Sequence, residues 1–166
     1  MHYQKQNNKL KIMVSEIKRF LIYAFLMLSG LSQAQSKEVL EKYIANSLSY
    51  QHIQYNTGEK KSLLSIHQIK FKDCTMSYPI FIKTGDKIER FTVRILLSGT
   101  NDITMIKTKE GFYAITFTTN RKSIIKEYPD GELVHEKKQI IPLKKYDAKA
   151  LKYFKKLKGI CIKKST

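Results

Sequence analysis

Residues Lys87–Phe117, KIERFTVRILLSGTNDITMIKTKEGFYAITF, decide the fold. Phe91, Val93, Ile95 and Leu97 alternate with polar Thr92 and Arg94. Period-2 alternation with one apolar face marks a half-buried strand. Ser98-Gly99-Thr100-Asn101 interrupts it with turn-forming residues. Ile103–Thr108 follows, then the short turn Lys109-Glu110-Gly111, then Tyr113, Ile115 and Phe117 in alternation. The stretch reads as three consecutive antiparallel strands, and the rest of the chain reads as arranged around them.

Upstream, Leu63–Ile82 is also extended, with a change of register. Ile69 and Phe71 place the apolar face at odd positions, whereas Cys74, Met76, Tyr78 and Ile80 place it at even ones. One extra residue at Lys72-Asp73, a β-bulge, restores a common face; a tight turn joining two strands does the same. Tyr50–Lys61 is polar, contains Asn56-Thr57-Gly58, and reads as a loop or a ragged first strand. Before it, Leu40, Tyr43, Ile44 and Leu48 recur at helical spacing, so Ser36–Ser49 reads as a helix with Ser36 as N-cap.

Downstream, Ser123–Glu127 reads as a strand. Tyr128-Pro129-Asp130-Gly131 is a strong turn signal, with Pro preset for the second turn position and Gly free to take positive φ. Glu132–Ile141 returns as a strand whose polar middle, Glu136-Lys137-Lys138, suits a sheet edge. Asp147 caps an amphipathic helix from Ala148 to Lys158, with Gly159 as its stop. The predicted class is α+β, mainly β: an N-terminal helix, a meander of six or seven antiparallel strands over 63–141, and a closing helix over 147–158.

The first 34 residues stand apart. Lys5, Lys9, Lys11, Lys18 and Arg19 precede the uncharged apolar run Phe20–Leu31, and Ser32-Gln33-Ala34 supplies small residues for cleavage. This is the pattern of a secretory signal peptide. Met13–Ala34 alone carries all three parts, so Met13 is an alternative start. An uncleaved anchor is the competing reading, but 12 residues at about 1.5 Å each reach only about 18 Å of a roughly 30 Å hydrocarbon core. The expectation is cleavage after Ala34, leaving one domain, 35–166, exported to a periplasm or the medium, with no further membrane span.

Of 31 Lys and Arg and 14 Asp and Glu, the leader takes five and one, leaving 26 against 13 and a net charge of +13. Lys outnumbers Arg 23 to 3 in that remainder, so the surface is poor in the guanidinium forks that grip phosphate bidentately. The densest run lies near the C-terminus: Lys144, Lys145, Lys149, Lys152, Lys155, Lys156, Lys163 and Lys164. These could face an anionic envelope component, a lipid or polysaccharide. The plainer alternative is a solvated helix face in a Lys-rich chain. Phe91, Tyr113 and Phe117 fall on the core face, which argues against nucleic acid.

The sequence shows no Gly-x-Ser-x-Gly, His-Glu-x-x-His, Cys-x-x-Cys or Gly-rich phosphate loop. His52, His67 and His135 are isolated from one another and from acids at ligand spacing. No catalytic residue, metal ligand or cofactor is therefore assigned. Two cysteines in an exported chain suggest a disulfide, Cys74–Cys161, with two buried thiols as the alternative. The choice turns on whether their Cα atoms come within about 7 Å. The expected role is a non-enzymatic binding or interaction domain, its partner a protein or an anionic envelope component.

A meander closed by a C-terminal helix resembles the pleckstrin-homology-like barrel. The strand Phe71-Lys72-Asp73-Cys74 (F-x-x-C), together with a terminal helix followed by Cys161, resembles small exported bacterial proteins of uncharacterised role. The resemblance covers roughly 63–162 and assigns no functional residues; the pleckstrin-homology-like one implies a barrel, with an open sheet as the alternative to its closure. The N-terminal helix and the absence of Trp from the closing helix depart from the pleckstrin-homology pattern. A lipocalin-like barrel is the competing topology, but its N-terminal Gly-x-Trp signature is missing from a chain with no Trp.

Overall fold

The computed structural model describes residues 37–57 and 60–163. The expected leader 1–34 with its expected cleavage site, Ser36 and Lys164 lie outside the described residues. Everything below concerns the unit Val39–Thr166.

Helix α1 (37–48) buries Leu40, Ile44 and Leu48, one residue per turn along a single stripe. Ten strands follow among the described residues. The first five are β1 (Gln51–Thr57), β2 (Lys60–Ile66), β3 (Lys70–Lys72), β4 (Thr75–Thr84) and β5 (Lys87–Leu96). The next five are β6 (Asp102–Lys107), β7 (Tyr113–Thr118), β8 (Ile124–Glu127), β9 (Leu133–His135) and β10 (Lys138–Leu143). Helix α2 (Ala148–Lys163) ends the described chain. Every strand pairing is antiparallel.

The strands form two sheets rather than one closed barrel, which corrects the barrel expectation. The first sheet runs β1-β2-β4-β5-β8-β9, with β3 also paired to β4. The second runs β10-β7-β6. Where a barrel would continue its ladder from β1 to β10, a side chain makes the link: Gln51 Oε1 accepts from the Lys144 amide at 3.2 Å. β10 carries Pro142, a residue that edges tolerate and central strands do not.

The three strands read in Lys87–Phe117 are present, but β5 does not pair with β6. A 3-10 turn at Leu97–Gly99 carries the chain from one sheet to the other. Gly99 is indispensable there, because a Cβ would stand 2.6 Å from Ser123 Cβ. Its carbonyl accepts from Thr119 Oγ1 at 2.8 Å and Ser123 Oγ at 2.9 Å, so the crossing is pinned by buried hydroxyls.

Two open readings are resolved and two others change. Of the two readings of Tyr50–Lys61 the strand holds: Gln51–Thr57 is β1, and Lys60 and Lys61 begin β2. The register change at Lys72-Asp73 is a tight hairpin turn, not a bulge: Lys72 pairs with Thr75, and Asp73 and Cys74 between them have φ of 46° and 63°. Positive φ at both central positions is what a type I′ turn requires. Glu132–Ile141 divides at Glu136-Lys137 into β9, an edge of the first sheet, and β10, in the second. Helix α2 does not stop at Gly159, because Cys161 continues the buried stripe Ala150, Phe154, Leu157. An interior Gly costs a helix about 1 kcal/mol, and the helix continues through it to a Cys161 that is buried and joined to Cys74.

Other local readings hold. Asp147 Oδ1 accepts from the Ala150 amide at 2.9 Å and caps α2. The turn at Tyr128–Gly131 closes with Gly131 at φ 90° and its amide 3.0 Å from the Tyr128 carbonyl. Pro79 sits in β4, a central strand, without breaking it. Its carbonyl accepts from the His67 amide at 3.0 Å, so its missing donor faces the gap where β2 has ended and β3 has not begun.

Both helices and both sheets contribute to one core. Phe91, Val93, Ile95, Ile115, Phe117 and Phe154 are all buried in it, and Tyr113 and Leu151 pack partly against it. Phe117 and Phe154 meet edge to face, ring centres 5.0 Å apart. Tyr78 is wholly buried, and among the described residues its hydroxyl makes no hydrogen bond of good geometry, with the Gln139 side chain beside it. Desolvation pushes that phenol's pKa far above its usual value. The sulfurs of Cys74 and Cys161 lie at bonding distance, Cα atoms 5.7 Å apart, joining the β3–β4 turn to the end of α2.

Candidate functional site

The seam between the sheets leaves a groove. On one side the β1–β2 hairpin presents Ile53 opposite Leu64, with Tyr55 next along the same face. On the other, Ile106, Ala114 and Pro142 stand in one row across β6, β7 and β10, with Ile140 beside them. Ala114, the small residue of that row, is wholly buried, and Ile106, Ile140 and Pro142 line the groove. The β6–β7 connection closes one end. It is held by the Thr108 amide on the Phe112 carbonyl at 2.8 Å, and Phe112 leans on Tyr55 with ring centres 6.2 Å apart. The groove holds about 430 Å³. Its walls are apolar, while exposed Lys107, Lys109 and Glu110 stand at the rim. Thr108 lines it as well, and its buried Oγ1 has no hydrogen-bond partner among the described residues.

The C-terminal lysines take a definite arrangement. With 100° between successive helical residues, Lys149, Lys152, Lys155, Lys156 and Lys163 fall within an arc of about 120° opposite the buried stripe. All five are exposed, as are Lys144 and Lys145 in the bend before the helix. Lys149 is partly committed: its Nζ lies 4.5 Å from the centre of the Tyr43 ring and 5.6 Å from that of Tyr153. Lys158 is tied back by donating to the Asn101 carbonyl at 2.6 Å.

The histidines remain apart. His52 Nδ1 shares a 2.8 Å hydrogen bond with Ser65 Oγ, His67 packs on Phe81, and His135 is exposed on β9. Among the described residues no cluster of His, Cys, Asp or Glu is placed to hold a metal, and no helix is long and apolar enough to cross a membrane.

The sequence reading missed the groove. Tyr50–Lys61 reads as a loop or a ragged first strand, and the alternation of Ile53 and Tyr55 with Gln54 and Asn56 is the strand signal that places the two on one face. Ile106, Ile140 and Pro142 share a face only through the pairing of β6, β7 and β10, which local pattern does not carry.

No protein family, curated protein or solved structure matches the chain.

Proposed function

We propose that this chain is an exported, non-enzymatic binding domain that holds one acyl chain with an acidic head group in the groove between its sheets. The carrying observation is the groove itself: an apolar trough of about 430 Å³ with two lysines at its mouth. Ligand pockets commonly run from about 300 to 1,000 Å³, mostly apolar with a few placed polar groups. Lys107 and Lys109 suit a carboxylate or phosphate head, and Ile106, Ile140 and Tyr55 suit its tail. A fluorescent fatty acid titrated into the protein should bind saturably and be displaced by unlabelled palmitate. Ile140→Glu, at a position already 36% exposed, should weaken binding at least tenfold with the melting temperature nearly unchanged. Wild-type affinity in that variant would refute the reading.

A second reading rests on the lysine arc of α2. The side chains of Lys152, Lys155 and Lys156 meet no carboxylate among the described residues, and such a face suits anionic lipid or polysaccharide. Co-sedimentation with phosphatidylglycerol vesicles should then fall with added salt and be lost in the triple Lys→Gln variant, while neutral vesicles bind nothing. Salt-insensitive sedimentation would reject it.

A further inference from the structure

The outward face of the first sheet carries a second depression, built by register. Across β4, β5 and β8, Pro79 pairs with Thr92 and Thr92 with Glu127. One step away on this face, Phe81 pairs with Arg90; one step the other way, Arg94 pairs with Ile125. Short Pro79 and Thr92 therefore form a floor between the longer Phe81, Arg90, Arg94 and Glu127, with Pro129 beyond. The cleft measures about 540 Å³.

Only three arginines follow Ala34 in the sequence, Arg90, Arg94 and Arg121, against 23 lysines. Two of the three flank this one floor, four residues apart on one strand, which is roughly 13 Å along it. Their states differ. Arg94 is ion-paired with Glu127. Arg90 lies over the Phe81 ring with its guanidinium carbon 5.4 Å from the centre, and among the described residues it has no acid and no hydrogen-bond acceptor. His67 packs on the same ring at 4.6 Å. A guanidinium drawn to a ring face and without an acid partner keeps its planar N–H fork available, the geometry that grips an oxyanion bidentately.

We propose that this cleft is an oxyanion subsite separate from the groove. Arg90 supplies the fork, Pro79 and Thr92 supply the floor, and Arg94 strengthens the field when the anion competes with Glu127 for it. The ligand class is a small molecule or sugar unit bearing a carboxylate, sulfate or phosphate.

The test is titration of the purified protein with galacturonate, inorganic sulfate and inorganic phosphate, followed by side-chain NMR of the arginine Nε–H groups. Neutral galactose is the control. At least one oxyanion should produce saturable shifts at Arg90, and the tightest of the three identifies the source chemistry. Arg90→Gln should abolish binding, and Arg90→Lys, which keeps the charge but loses the fork, should weaken it at least tenfold. Glu127→Gln, which removes the acid facing the anion, should tighten binding several-fold. Lys138→Gln, at an exposed position of β10 in the other sheet, should leave it unchanged. The proposal is overturned if none of the three anions saturates, if galactose shifts the same resonances, or if either Arg90 variant binds as the wild type does. It is equally overturned if Glu127→Gln leaves affinity unchanged or lower, or if Lys138→Gln abolishes binding.

Discussion

Breaking the Cys74–Cys161 link should remove a large share of this protein's stability, with an amount and pattern that can be worked out in advance. The residues are separated by 87 positions, so the closed loop holds 88 with both ends counted. Chain entropy for such a loop gives about 4.6 kcal/mol at 25 °C, set against a total of roughly 5–15 kcal/mol for a small domain. For a domain of this size the melting temperature should fall on the order of 15 °C. Cys74 also sits at φ 63°, where a side chain with a Cβ costs about 1 kcal/mol. The assay is urea denaturation of wild type with and without reductant, alongside Cys74→Ala, Cys161→Ala, the double Ala variant, and Cys74→Gly with Cys161→Ala. Each single variant should lose about 4–5 kcal/mol and the double should lose no more, since either change opens the same loop. The Gly-containing pair should recover about 1 kcal/mol, because Gly adopts positive φ freely. Three results would refute this reasoning: identical urea midpoints for oxidised and reduced wild type, single losses that add in the double variant, or two free thiols per chain in unfolded, unreduced protein.

Two further outcomes are expected. Phe154→Ala empties a wholly buried site against Phe117 and should cost about 3–5 kcal/mol in urea denaturation; a loss under about 1 kcal/mol would mean that α2 does not close the core. Under the proposed export by cleavage after Ala34, mass spectrometry of the protein recovered from periplasm or medium should find Gln35 at the N-terminus, and recovery of intact Met1 or Met13 in the membrane fraction would overturn the proposal.

The elements legible in the sequence were those fixed by neighbours a few residues away. Phe91, Val93 and Ile95 alternate, and all three are buried. Asp147 precedes an apolar stripe, and it caps the helix. The misreadings occurred where a distant residue overruled a local signal. Ser98-Gly99-Thr100-Asn101 suits a hairpin and a crossover equally well. The crossover follows from Gly99 lying against Ser123, 24 positions along, with no room for a Cβ. Gly159 is a good helix stop by its own chemistry, yet Cys161 packs in the core and is joined to Cys74, so the helix continues through it. At Asp73-Cys74 the local pattern allowed a bulge or a turn, and only the pairing of Lys72 with Thr75 distinguishes them.

The same division explains why the lysine-rich helix was legible as a surface and the two depressions were not. A helix displays its faces through a fixed 100° step, so Lys149, Lys152, Lys155 and Lys156 could be grouped from the sequence alone. A depression on a sheet depends on which residues stand side by side across strands. Arg90 and Arg94 were visibly on the face of β5 opposite Phe91, Val93 and Ile95. What made them the walls of a cleft was the pairing of Pro79 and Glu127 with Thr92, which set short side chains between long ones. The scarcity of arginine was read as evidence against oxyanion recognition. That inference averaged over the whole surface, whereas recognition depends on local density. Two guanidinium groups flanking one floor give a fork and a field that many dispersed lysines do not, because a compact ammonium on a flexible stem has no planar edge to present. Charge composition therefore bounds how strongly this protein is drawn to anions in general, while strand register determines where one anion could be held.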